Sequence, residues 1–206
     1  MFDIEKLDMR IKYTREWTFE ALSKLLEQHP YHDIRISDII DRAGISRATF
    51  YRNFSTKDDI VKLKVQMIFA DFHNDMLDTY VKTGILDEQY LIQAFFNMVD
   101  KQEQVIETVI QTNLEYTMVE GILGIIQFHK DRFYELVKTN KKTEDYTMDI
   151  VASSCWTLLS RWHKSGKEET PKQLAKIYLS AFRSVYIAVF EDRDKLQVEQ
   201  SWRKTN

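Results

Sequence analysis

Residues 37–54 read SDIIDRAGISRATFYRNF, and the fold is decided here. The pattern predicts two short helices, Ser37 to Ala43 and Arg47 to Asn53, around a turn at Gly44 and Ile45. Glycine supplies the left-handed backbone that such a tight turn needs. Ile39, Ala43, Ile45, Phe50 and Phe54 give the pair a dry inner face, the pattern of a helix-turn-helix. The outer face is polar and basic. Arg47, Ala48, Thr49, Tyr51 and Arg52 suit a helix that enters the major groove. Arg47 can fork onto the acceptors of a guanine, Ala48 and Thr49 can touch a thymine methyl or a base edge, and Tyr51 and Asn53 suit phosphate oxygens. Ser46 at the cap of the second helix and Lys57 in the first turn of the next stand where free backbone amides favour an anion. Arg35 and Ser37, at the start of the first short helix, complete the candidate DNA-contacting set.

Upstream, Met9, Tyr13, Trp17, Ala21, Leu22, Leu25 and Leu26 recur at intervals of three and four and predict a first helix over 9–28, ended by Pro30. IRIS at 34–37 alternates, but four residues between two helices make a poor strand. Ser37, Ser46 and Thr56 read as helix caps, and Asp59, three residues after Thr56, suggests a capping box that opens a long helix to about Lys82. Beyond Gly84 the spacing predicts helices over 88–99, 103–111, 114–139, 145–164 and 171–192, the last begun by Pro171 with Thr170 as its cap. The expectation is an all-α chain of about nine helices in two parts, residues 1–60 and 61–206, with the fourth helix as the joint. Trp17, Phe50 and Phe54 are expected in the core.

From about Thr18 through Val61, the long first helix, the AGIS turn, the aromatic pair in TFYRNF and the Ser, Thr and Lys that follow resemble, in order and spacing, the DNA-binding domain of TetR/AcrR-type bacterial transcription regulators. The resemblance implies a homodimer that binds a palindromic operator in double-stranded DNA, with a helical C-terminal domain for ligand binding and dimerisation. It assigns phosphate contacts to Tyr51 and Lys57 and base reading to Arg47, Ala48 and Thr49. Ile40 stands where a small alanine is usual, and Asn53 replaces a frequent histidine. CWTLLSRWHKSGKEETPKQLAKIYLSAF, residues 155–182, is similar to the last two helices of a subgroup whose members include activators and regulators that work through a protein co-regulator. The family analogy also implies an effector cavity after Lys62, with Phe95, Phe96, Tyr116, Phe128, His129, Trp156 and Trp162 as candidate lining. Leu158, Leu159, Ile177, Phe182, Val185, Tyr186 and Val189 form stripes too apolar to leave wet, and these predict an isologous four-helix dimer interface.

Composition narrows the alternatives. Five glycines and two prolines in 206 residues make turns scarce, as helices require. A single cysteine builds neither a disulfide framework nor a thiolate zinc site and points to a reducing compartment; Cys155 reads as a packing residue. MFDIEKLDMR lacks a basic start followed by an apolar run, and no stretch approaches the roughly 20 apolar residues that span a bilayer, so the expected location is the cytoplasm, away from the membrane. The five histidines form no HExxH-type pair, and no nucleophile elbow or phosphate-binding glycine loop is present. No enzyme, metal or cofactor is expected. Net charge is −3, but Arg35 to Lys57 holds five cations against Asp38 and Asp41, so a segment of +3 sits on a remainder of −6. The predicted function is a sequence-specific DNA-binding regulator, a repressor released by a small-molecule effector. The alternatives are a DNA-bound activator controlled by a protein co-regulator, and a helical interaction module that binds no DNA.

Overall fold

Helix α1 (Met9–Leu26) buries one side of its C-terminal half, with Thr18, Phe19, Leu22 and Leu26 turned inward. The computed structural model describes residues 9–84, 88–128 and 144–186, and these hold helices and turns without a strand. Trp17, expected in the core, is 54 % exposed, beside exposed Met9 and Tyr13. At 3.6 residues per turn Trp17 lies roughly 140° around the helix from Leu22, because steps of four drift off the buried stripe. Tyr13 and Trp17 stack on each other instead, their ring centroids 6.0 Å apart. A single 3₁₀ turn, Tyr31–Asp33, fills the connector to α2 (Ile36–Ala43). Ser37 does not cap α2: the helix begins one residue earlier, and the Asp38 carboxylate accepts the Arg35 amide at 2.9 Å.

Helix α3 (Arg47–Asn53) leads into α4 (Asp58–Thr83), which starts two residues later than Thr56. Helix α4 runs along one continuous core. Its first turns bury Ile60, Val61 and Val65, and its later turns bury Phe69, Phe72 and Met76. α5 (Glu88–Asp100) returns along α4 with Phe95 between Phe69 and Phe72, centroids 6.1 and 5.8 Å away. After α6 (Glu103–Gln111), α7 (Tyr116–Phe128) runs beside α4 in the same direction, Lys62 near Tyr116 and His73 against Phe128. Between these contacts lies Gly121, where a Cβ would be 2.4 Å from the Phe69 ring. Only glycine leaves room for that ring.

Helices α8 (Glu144–Lys164) and α9 (Pro171–Tyr186) are joined by a turn that explains the motif at 155–182. Gly166 and Lys167 both take left-handed backbone, φ 86° and 57°. The Trp162 indole N–H donates to the Glu169 carbonyl at 2.8 Å, and Thr170 exchanges hydrogen bonds with Gln173 across the first turn of α9. Lys167 Nζ donates to the carbonyl and the carboxylate of Asp100, at 3.1 and 3.2 Å, which docks the turn on the corner between α5 and α6. Cys155 is buried in α8, and burial pushes its thiol up to about 12. Of the residues expected at a dimer interface, Leu159 is in the core, Leu158 is half-buried and Ile177 is exposed. The side chains of Phe182, Val185 and Tyr186, the whole of Val189, and the parts of two predicted helices beyond Phe128 and Tyr186 lie outside the described residues. No helix among the described residues is long and apolar enough to cross a membrane.

Gly121→Ala should destabilise the chain by about 1–3 kcal/mol, although alanine is the better helix former, because the enclosed Phe69 ring must shift to admit the added methyl group. Urea unfolding of the two proteins measures the difference.

Candidate nucleic-acid interface

Gly44 closes α2 with φ 64°, and the Ile45 amide donates back to the Ile40 carbonyl at 3.3 Å, which turns the chain sharply into α3. Ile39, Ile40, Phe50 and Phe54 are buried beneath the turn, with Ile45 packed against them. The larger Ile40, at a position where the resemblance leads one to expect alanine, is accommodated inside this core. Phe50 meets Phe54 at 5.2 Å and Tyr51 edge-on at 5.4 Å, so the aromatic pair of the motif divides its work. Phe50 fixes the helix from below, and Tyr51, 55 % exposed, stands outside.

The outer face carries the residues the sequence selected. Ser46, Arg47, Ala48, Tyr51 and Arg52 are exposed, and Thr49 and Asn53 are half-exposed. Ser46 Oγ accepts the Thr49 amide at 3.0 Å and lies 2.8 Å from the Thr49 hydroxyl, so the expected cap forms and one of the amides thought free for an anion is already satisfied. Asn53 Nδ2 donates to the Thr49 carbonyl at 2.9 Å, which leaves its carbonyl oxygen and one N–H outward. Among the described residues no ion pair involves Arg35, Arg42, Arg47 or Arg52, so four guanidinium groups of the head keep their charge for an outside partner.

The start of α4 is different. Asp59 Oδ2 accepts the amides of Ser55 and Thr56 at 2.9 and 2.8 Å, so the amides ahead of the helix are occupied by the protein's own carboxylate. Burial works to raise the Asp59 pKa, but the Thr56 and Ser55 bonds and the Lys62 charge outweigh it and hold the carboxyl below its usual range. Lys57 is half-buried, its ammonium donating inward to the Tyr31 and Ile34 carbonyls at 2.6 and 2.9 Å. Tyr31 lies beneath that ammonium and donates its hydroxyl to Asp58. Tyr31 and Asp58 escaped notice in the sequence because their roles depend on the connector folding back onto α4.

The candidate pocket residues do not converge. Phe95, Phe96, Trp156 and Trp162 are core, while Tyr116 and Phe128 are exposed against Lys62 and His73; His129 lies outside the described residues. A different set, led by Val65, Phe69, Met98, Gln102, Ile106 and Met118, surrounds an apolar cavity of about 10 Å³ between α4, α5, α6 and α7, room for about one water. Close by, the hydroxyls of Ser23 on α1 and Thr108 on α6 meet at 2.9 Å in a buried contact between head and body.

Comparison with known proteins agrees with this geometry. Residues 19–63 match the model of bacterial regulatory proteins of the tetR family, and residues 87–197 match a transcriptional regulator C-terminal region. The dhaKLM operon transcriptional activator DhaS of Lactococcus lactis is 33% identical over 95 residues, which are 43% of this chain and 51% of that protein. YxbF, an uncharacterised HTH-type transcriptional regulator of Bacillus subtilis, is 35% identical over 68 residues, 32% of this chain and 18% of that one. The matches thus span about half the length of the first relative and less of the second. Among solved structures, one from Listeria innocua superposes with a TM-score of 0.73 at 19% identity, covering 87% of this chain and 94% of its own. The DhaS structure superposes at 0.54 with 20% identity, over 86% and 96%.

The depressed Asp59 pKa fixes a sign. Its stabilising effect is complete above the ordinary carboxylate range, about pH 4, and is lost as pH falls through the lower folded value. Stability of the wild-type chain should therefore fall more steeply between about pH 4 and pH 2 than that of Asp59→Asn, measured by urea unfolding across that window.

Proposed function

The chain belongs to the tetR family of bacterial regulatory proteins and is a DNA-binding transcriptional regulator, and we propose that it acts in the cytoplasm as a homodimer on a palindromic operator. The observation that carries this reading is the rigid, dry-backed helix-turn-helix with an unpaired basic outer face. In the proposal residues 1–60 form the reading head and residues 61–206 the body. Arg47, Ala48 and Thr49 face base edges, while Arg35, Ser37, Ser46, Tyr51, Arg52 and Asn53 line the phosphate path. Dimerisation uses the outer faces of α8 and α9, where Ile177 is exposed. That pairing sets two α3 helices one helical turn of DNA apart.

Control by a small apolar effector requires the cavity between α4 and α6 to open. A ligand that binds the open form better would move α4 and change the spacing of the heads, with coupling of about 1–3 kcal/mol. On this reading the chain is a repressor. Two observations favour a second reading, an activator controlled by a protein co-regulator: similarity to DhaS, itself an activator, and the packing of the expected pocket aromatics into the core. Deleting the gene and measuring transcripts of its neighbours separates the signs, because neighbouring transcripts rise on loss of a repressor and fall on loss of an activator.

Selection of duplexes from a random library with purified protein tests operator binding. The selected sites should be two-fold symmetric. Arg47→Ala should relax preference at one position per half-site, with each wrong base there costing about 1–3 kcal/mol less than in the wild type, whereas Arg52→Gln should weaken all sequences alike. Identical sequence profiles for the two variants overturn this division of roles.

A further inference from the structure

We propose that Lys57 is a positioning residue, an internal clasp that fixes the reading head on α4, and that its charge does not neutralise a phosphate. The proposal rests on operator reading by α3 and assigns Lys57 a role opposite to the one the family resemblance implies. An ammonium has three N–H donors, and two of those on Lys57 are spent on the carbonyls of Tyr31 and Ile34. The Tyr31 ring covers the ammonium at 4.1 Å from the ring centroid. Tyr31 in turn donates its hydroxyl to Asp58, and Asp59 occupies the amides of Ser55 and Thr56. Asp58 and Asp59 add two carboxylates to the first turn of α4, and their charge opposes an approaching phosphate.

The bonded carbonyls explain what the clasp does. Tyr31 and Ile34 belong to the connector between α1 and α2, which has one 3₁₀ turn and few backbone bonds of its own. Lys57 stands at the first turn of α4, so its two bonds tie the entry of α2 to the start of α4. α3 is held between those points in sequence. The direction of its outer face relative to the body therefore depends on the clasp, and Arg35, Arg47 and Arg52 carry the charge that DNA meets.

Salt dependence separates geometry from charge, with a duplex selected from the random library as the probe. Each neutralised phosphate contributes about 0.9 to the slope of log affinity against log salt, so the loss of one contact per half-site lowers a dimer's slope by about 2. Lys57→Met should lower affinity at least tenfold with the slope unchanged, and Tyr31→Leu should do the same although it removes no charge. The double variant should be no weaker than the weaker single one. Arg52→Gln provides the contrast, a slope lower by about 2. If Lys57→Met is unfolded at the assay temperature by circular dichroism, Tyr31→Phe serves in its place, since it frees Asp58 while keeping the ring, and it should weaken binding at constant slope. A slope lower by about 2 for Lys57→Met, or wild-type affinity for Tyr31→Leu or for Lys57→Met, overturns the proposal. If the wild-type chain enriches no duplex at all, the operator reading fails instead.

Discussion

The burial of α4 along one continuous core is the constraint on which the rest depends. Ile60 and Val61 enter that core at the start of the helix, beside the reading head, and Val65, Phe69, Phe72 and Met76 enter it further along, in the body. A helix buried in this way cannot rotate at one end without disturbing the other, since interiors are packed too densely to deform continuously. One contact that limits its rotation is the Phe69 ring beside Gly121, where a Cβ would not fit. The same helix carries both the Phe69 contact with α7 and, at its start, the residues packed beneath the reading head.

The local features of the fold were legible because each was written in adjacent residues. Gly44 and the Ser46 cap define the turn, and the apolar positions from Ile39 to Phe54 define its dry side. Features that depend on a distant neighbour were harder to read. Trp17 looked like core because steps of four resemble a stripe over a few turns, yet the drift carries it to the open side. Thr56 reads as a cap whose hydroxyl accepts a free amide, yet the half of the exchange that forms is the Asp59 carboxylate accepting the Thr56 amide. Gly121 lay within an apolar helical run, VEGILGII, and a glycine inside a helix is itself a sign of close packing.

The candidate site divides in the same way. The outward residues of α3 followed from composition, since a short polar helix over an apolar pair has few other uses. Lys57 could not be placed from sequence, because its partners are carbonyls 23 and 26 positions earlier that become neighbours only after the connector folds. The aromatic residues expected to line a pocket show the general difficulty. Large rings at helical spacing pack against each other unless something holds a void open, and Phe95 and Phe96 fill the space between α4 and α9.

Charge and packing meet at the junction of head and body. The +3 segment from Arg35 to Lys57 includes one cation bonded inward, so the unpaired charge of the head rests on arginines, whose planar guanidinium groups suit bidentate contacts. Their aim depends on how the head is docked. That docking includes the Ser23–Thr108 hydroxyl pair, two groups that are buried and satisfied by each other. Separating them leaves two polar groups without partners, at about 1–3 kcal/mol each. For the pair that is about 2–6 kcal/mol, above the roughly 1–3 kcal/mol of a typical coupling between a regulatory site and a binding site. The buried hydroxyl pair therefore resists a change of head orientation.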